Sequence, residues 1–319
     1  MLIAYDLGHY PITYDFTGWM VRAEQARQEK NWENLHIAFQ PGEDDGFRLK
    51  TLRDYQFTKA RKEFRLQNLL VPLARLVPSV SEATILREKL DVATPHFNIF
   101  NDIFRAPLSP FRATEVAKSA VVSMYPKRYM TITLRQSDVQ VERNSRQEQW
   151  AKVAKWASKH GLNVVVVPDT EALLQGKKQV VWPTECIPAA MNMDIRLALY
   201  EMAQFNCFTS GGPFTLAAFA ENVRYATFKL ICNGIDVCSP KHMETIGLDD
   251  GVSRGSFRTS WWCDDTFENI CPKLEPYLDI KYKIGVEDVF KAQTHYRGHL
   301  IVQKGAHEPS QIHPARITH

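Results

Sequence analysis

Between Tyr129 and Ile231 the sequence alternates short apolar runs with amphipathic ones, and few folds accept that rhythm. Tyr129 to Leu134, YMTITL, reads as a strand. Trp150, Val153, Ala154 and Ala157 then share one helical face, and His160-Gly161 suits the helix end. Asn163 to Val167 is an apolar strand of the kind covered on both faces. A helix over 188–205, a strand ending near Thr209 and a strand over Tyr225–Ile231 follow. Such alternation predicts a parallel sheet with helices packed on it. The first residues repeat the theme. Met1–Asp6 reads as a strand, a helix from Asp15 or Thr17 carries Trp19, Met20, Ala23 and Ala26, and Leu35–Phe39 reads as a second strand. The prediction is an α/β protein of two Rossmann-like domains, 1–125 and 126–303, divided at Tyr125-Pro126-Lys127, with a poorly ordered tail over 304–319. Further helices are expected over 50–77, 112–124 and 284–293.

In parallel sheets ligands gather beyond the carboxyl ends of the strands. Three loops of the second half belong at that edge. Residues 135–146 bring Arg135, Arg143 and Arg146; residues 168–171 bring Asp169 and Glu171; residues 209–213 bring Ser210, Gly211, Gly212 and Pro213. The last lie in Cys207–Glu221, CFTSGGPFTLAAFAE, which reads as strand, tight turn and helix start. Proline suits the first helical position, and glycine leaves room for a phosphate against the backbone. A helix start also favours an anion. An ordinary strand-to-helix turn and a phosphate cradle both fit these residues. The arginines at the same edge favour a nucleotide diphosphate, with a carboxylate left for ribose hydroxyls. Glu201, one turn from a helix end, either pairs with an arginine of 135–146 or is a surface acid. Ser145-Arg-Gln-Glu148 fits a capping box. In the first half the same rule brings Asp6, Gly8, His9, Tyr10 and Asp15 near any site.

Other chemistries are disfavoured by what is missing. There is no Gly-x-x-x-x-Gly-Lys and no Gly-x-Gly-x-x-Gly after the first strand. No Asp-x-Asp is present, and the pairs Asp44-Asp45, Asp249-Asp250 and Asp264-Asp265 read as solvated. A net charge of +3, and basic residues such as Lys59, Arg61, Lys62 and Arg65 that read as a solvated helix face, give no reason to expect nucleic acid. Six cysteines without a C-x-x-C spacing read as free buried thiols rather than metal ligands. MLIAYDLGHY lacks a basic segment followed by an apolar one, and no apolar run is long enough for a membrane span.

The succession LRQSDVQVERNS, VVVVPDTE, RLALYE and CFTSGGP resembles the donor domain of a GT-B-type glycosyltransferase, similar to bacterial surface-glycan and heptosyltransferase-like enzymes. The likeness covers about 129–231. The turn departs from the usual form, with Ser210 or Gly211 where an Asp stands before Gly-Pro and Thr215 where a His follows. The resemblance implies two parallel sheets facing a central cleft. It implies a nucleotide-sugar donor bound by Arg135, Arg143, Arg146, Asp169, Glu171, Glu201 and Ser210–Pro213. The acceptor would be a glycan or lipid-linked sugar, and the nucleotide sugar a co-substrate with no other cofactor and no metal. Inverting transfer needs a base. Asp15 is the first candidate, before His9 and Asp6; the alternatives are a helix cap, a loop histidine and a strand end. Trp182 and Trp261-Trp262 either stack on a ligand or pack the core. The expected location is the cytoplasm, or the inner-membrane surface. Two other functions fit the same architecture: a sugar-nucleotide epimerase, and a non-catalytic binder of glycan or partner.

Overall fold

A computed structural model of the chain describes residues 1–278, apart from 44, 178, 179, 181 and 253–256. The helix expected over 284–293 and the tail from 304 lie outside the described residues. Strands β1 (Leu2–Asp6), β2 (Leu35–Gln40) and β3 (Val80–Ile85) form one parallel sheet in the order β1-β2-β3. Strands β4 (Tyr129–Thr133), β5 (Asn163–Val167), β6 (Phe205–Thr209), β7 (Tyr225–Phe228) and β8 (Arg258–Ser260) form a second, in the order β5-β4-β6-β7-β8. Every pairing in it is parallel. β4, β6 and β7 are buried along their whole length, which is why their sequences hold few charges.

The helices among the described residues are α1 (Phe16–Glu29), α2 (Leu52–Gln56), α3 (Lys59–Arg65), α4 (Val71–Arg75), α5 (Glu115–Met124), α6 (Gln147–Lys159), α7 (Thr170–Leu174), α8 (Ile187–Met191), α9 (Met193–Met202), α10 (Gly212–Ala218), α11 (Pro240–Ile246) and α12 (Phe267–Leu278). Local side chains explain where the expected helices break. The stretch over 50–77 is cut by Thr51 and Thr58, whose side chains accept the Asp54 and Arg61 N–H groups and start two separate helices. A π-helical turn over 66–70 then precedes Pro72. The helix expected over 188–205 is cut at Asn192, which is extended and caps α9 through Asp194 and Ile195. Thr114 caps α5, so that helix begins at Glu115 rather than near Arg112.

The capping box read at Ser145-Arg-Gln-Glu148 does not form. Arg146 is the N-cap of α6 and makes no side-chain cap. The Ser145 hydroxyl instead bonds Thr209 Oγ1 at 2.8 Å and accepts the Arg135 N–H at 2.8 Å. The start of α6 is held from outside, by Asp265. Its Oδ2 accepts the Arg146 N–H at 2.8 Å and the Trp150 indole N–H at 3.0 Å. Asp265 is fully buried, which corrects the expectation of a solvated Asp264-Asp265 pair. Asp249 is likewise engaged, by Arg105. The six cysteines are free, and all but the half-buried Cys263 are buried.

The apolar core is continuous from one sheet to the other within the compact unit Met1–Tyr277. Phe104 stacks on Phe214 and Phe219, with centroids at 5.5 and 5.0 Å. Thr17 Oγ1 bonds Thr215 Oγ1 at 3.0 Å. Of the basic residues of α3 only Lys59 is exposed: Lys62 is buried and pairs with Asp45 at 3.0 Å, while Arg61 and Arg65 both reach Glu171 across the cleft.

Candidate functional site

From β4 the chain moves outward to β5, then returns to the other side of β4 to form β6. The strand order therefore reverses between β4 and β6, and a crevice opens there beyond their carboxyl ends. Arg135 follows β4 and Ser210 follows β6, so the topology itself brings the arginine loop to the glycine turn. The crevice is a cavity of about 210 Å³ whose walls include Asp15, Arg135, Arg143, Asp169, Arg196 and Gly211. It adjoins a larger cleft of about 860 Å³ between the two sheets, which shares Tyr14, Asp15, Arg143, Gly211 and Thr215.

Three expected arginines have three different fates. Arg143 reaches the turn: its Nη2 donates to Ser210 Oγ at 3.1 Å and its Nη1 to Gln140 Oε1 at 2.7 Å. Its Nε is buried with no hydrogen-bond partner among the described residues. Arg135 shapes the loop, donating to the carbonyls of Val139 and Gln140. Burial pushes its guanidinium down to about 10, and the Arg143 charge adds to that. Arg146 is not in either cavity wall; half-exposed, it pairs with Asp264 at 2.7 Å.

The acids are mostly committed to structure. Asp169 caps α7, accepting the N–H groups of Glu171, Ala172 and Gln136, and burial raises its pKa. Glu171 is held by Arg61 and by Arg65 at 2.7 Å, so it ties the two halves together rather than standing open to a ribose. Glu201 faces away from the arginine loop: it accepts the Ala113 N–H at 3.0 Å and pairs with Lys118 at 3.1 Å. Of the three candidate bases, only Asp15 lines the cleft. Its Oδ2 accepts the Thr13 hydroxyl at 2.8 Å; it occupies the N-cap position of α1 without a side-chain cap bond. Asp6 closes its own loop, taking the Gly8 N–H at 2.7 Å, and His9 is exposed beside His96.

The glycine turn is only partly the cradle its sequence suggests. A Cβ built on Gly212 would overlap the Tyr14 ring, so this glycine makes room for Tyr14 and not for a phosphate. A Cβ on Gly211 would meet Arg135 Cδ at 3.6 Å, an ordinary contact on an extended backbone. The two positions should therefore respond oppositely. Gly212→Ala is expected to cost about 1–3 kcal/mol of stability by overpacking, whereas Gly211→Ala should stay within about 0.5 kcal/mol. Urea unfolding of both variants checks this; equal losses would show that Tyr14 does not set the requirement.

Several groups at the site were not among those expected from the sequence. Tyr14 accepts the Arg196 Nη1–H at 2.6 Å. Arg196 is buried, and its other bonds go to Ala189, Ala190 and Thr170 oxygens, so its charge stands in the crevice wall without a carboxylate partner among the described residues. Cys238 lies 4.0 Å from Ser210 Oγ. Its thiol is pulled down to about 6, first by its bond with Cys232 and then, against burial, by the Arg143 charge. His242 enters the large cleft from α11. Cations thus outnumber free acids around the turn, and that potential favours a bound anion.

Two parallel sheets with their carboxyl ends toward a common cleft make this a GT-B fold, the architecture of heptosyltransferases. It is similar to ADP-heptose LPS heptosyltransferase II from E. coli, with a TM-score of 0.50 and 12% identity over 87% of this chain and 98% of that one. It is also similar to a glycosyl transferase family 9 protein from Veillonella parvula, with a TM-score of 0.51 and 10% identity over 87% of this chain and 96% of the other. No protein-family profile and no curated protein matches the sequence.

Proposed function

We propose that the protein is a glycosyltransferase that moves a sugar from a nucleotide-sugar donor to a hydroxyl of a glycan or lipid-linked acceptor, with inversion and without a metal. One observation carries this reading: Arg143, unpaired with any carboxylate among the described residues, is bonded to Ser210 in the same cleft as Asp15. The donor diphosphate would lie against Arg143 and the Ser210–Gly211 turn. Guanidinium groups of Arg143 and Arg196 would take up the charge that builds on the departing diphosphate, the part a metal plays elsewhere. Asp15 would remove the acceptor proton as the oxygen attacks the anomeric carbon on the face opposite the leaving group. No helix among the described residues is long and apolar enough to cross a membrane. We place the enzyme in the cytoplasm or at the inner-membrane surface, where a lipid-linked acceptor is within reach.

An epimerase is the second reading, because the cleft holds a histidine, His242, as well as Asp15. It would convert donor with no acceptor present, whereas a transferase would not.

The test is thermal stabilisation by ADP, UDP and GDP and by ADP-glucose, UDP-glucose and GDP-mannose, each with and without EDTA. A ligand at 100 times its Kd stabilises the native state by about 2.7 kcal/mol. One nucleotide class should shift the melting temperature, and EDTA should leave the shift intact. Arg143→Ala should abolish the shift, and Arg146→Ala should not, since Arg146 is bound to Asp264 outside the cavities. No shift with any of the six would overturn the donor reading; a shift lost with EDTA would overturn metal independence.

A further inference from the structure

His242 is a cleft group whose chemistry the donor reading leaves unused. It sits in the first turn of α11, where Ser239 Oγ accepts its backbone N–H at 3.3 Å and so fixes the start of the helix. The imidazole is half-buried, and neither ring nitrogen has a hydrogen-bond partner among the described residues. Its ring lies 6.2 Å from that of Phe100, which also lines the cleft. Burial lowers its pKa, Arg143 lowers it further, and Asp15 opposes both. His242 shares the wall of the large cleft with both Arg143, at the phosphate end, and Asp15, the proposed base.

That placement defines which part of a ligand it meets. A donor held at Arg143 and Ser210, with its reactive carbon presented toward Asp15, must put its sugar in the interval between them. We propose that His242 is a specificity-determining contact for the transferred sugar: an imidazole whose free nitrogen bonds a ring hydroxyl and turns the anomeric carbon toward Asp15. A neutral ring suits this task better than a charged one, because an uncharged imidazole can either accept from or donate to a hydroxyl. Phe100 would flank the same sugar with an apolar face. The inference rests on the donor reading and narrows it, since it separates the group that reads the sugar from the groups that hold the diphosphate.

The experiment compares bare diphosphates with their sugar conjugates. Titration calorimetry is run on wild type, His242→Phe and His242→Gln with ADP, UDP, GDP, ADP-glucose, UDP-glucose and GDP-mannose. His242→Phe keeps the ring area and removes both nitrogens. It should weaken the tightest-bound sugar nucleotide at least fivefold and leave the matching diphosphate within twofold. His242→Gln, which keeps a donor and an acceptor, should stay within threefold for both. If His242→Phe does not fold, His242→Ala carries the same comparison. Equal weakening of diphosphate and conjugate, or no weakening of either, overturns the inference and leaves the donor reading standing. So does a wild type that binds a diphosphate and none of its conjugates. Wild type binding none of the six overturns the donor reading, and the inference with it.

Discussion

Asp15→Asn is expected to lower the turnover of glycosyl transfer by about 10²–10⁴-fold, the usual worth of a positioned general base. At the midpoint of that range the loss is about 4 kcal/mol of barrier. The substitution is nearly isosteric. The side-chain oxygen that accepts the Thr13 hydroxyl at 2.8 Å has an equivalent in the amide, so the loop before α1 should keep its shape. Donor binding should stay within about threefold, because the proposed diphosphate contacts are Arg143 and Ser210, which bond each other and not Asp15. The loss then falls on kcat and not on affinity, as expected when only a transition-state interaction is removed. Initial rates with the nucleotide sugar that stabilises the protein, together with calorimetry on the same variant, separate the two. A variant within fivefold of wild-type turnover would move the base elsewhere. His9→Ala and Asp6→Asn serve as comparisons, and both should keep most of their activity, because neither side chain lines the cleft.

The second sheet and its carboxyl-edge loops were legible in the sequence for a physical reason. Strands buried on both faces must be apolar throughout, and the intervening helices must show one apolar stripe, so β4, α6, β5 and β6 each carry their own signature. Parallel order then forces the loops after β4, β5 and β6 to one edge, which is why Arg143 and Ser210 meet although 67 residues separate them. What stayed hidden were the choices among charged side chains. Glu171 pairs with Arg61 and Arg65, more than a hundred residues earlier, and nothing local marks Glu171 as a clamp and Asp15 as a residue of the cleft wall. Gly212 looks like a phosphate glycine until Tyr14, 198 positions before it, is found against it. β3 and β8 were missed because β3 is largely exposed and β8 has three residues, too few for a period to register. His242 had a usable signal. Ser239-Pro240 reads as a cap and first turn, and it follows the loop at the carboxyl end of β7, the edge where ligands gather.

The largest stability effect should come from a residue outside the cleft. Asp265 is fully buried, and it accepts the Arg146 N–H and the Trp150 indole N–H while lying 3.4 Å from the Lys229 ammonium. Lys229 is itself buried and has no closer carboxylate among the described residues. Asp265→Ala would leave that ammonium without a carboxylate, and the Trp150 indole N–H and the Arg146 N–H at the N-cap of α6 without their acceptor. Removing one side of a buried pair costs about 3–5 kcal/mol, since the remaining charge is left uncompensated. A drop of that size in the free energy of urea unfolding is the expected result, with a smaller loss for Asp265→Asn, which keeps a carbonyl oxygen for the two N–H donors. Adding Lys229→Met to Asp265→Ala should recover part of the loss, because the stranded charge goes with it. A loss below about 1 kcal/mol for Asp265→Ala would mean that water reaches the site and solvates the lysine. The effect should also reach the ligand. Lys229 donates to the Asn144 carbonyl at 2.7 Å, and Asn144 follows Arg143 in the loop. A displaced Lys229 loosens the segment that aims Arg143 at Ser210. Folded Asp265→Asn should therefore bind the nucleoside diphosphate more weakly than wild type even though Asp265 lines neither cavity. Binding unchanged in that variant would show that the arginine is held by Gln140 and Ser210 alone.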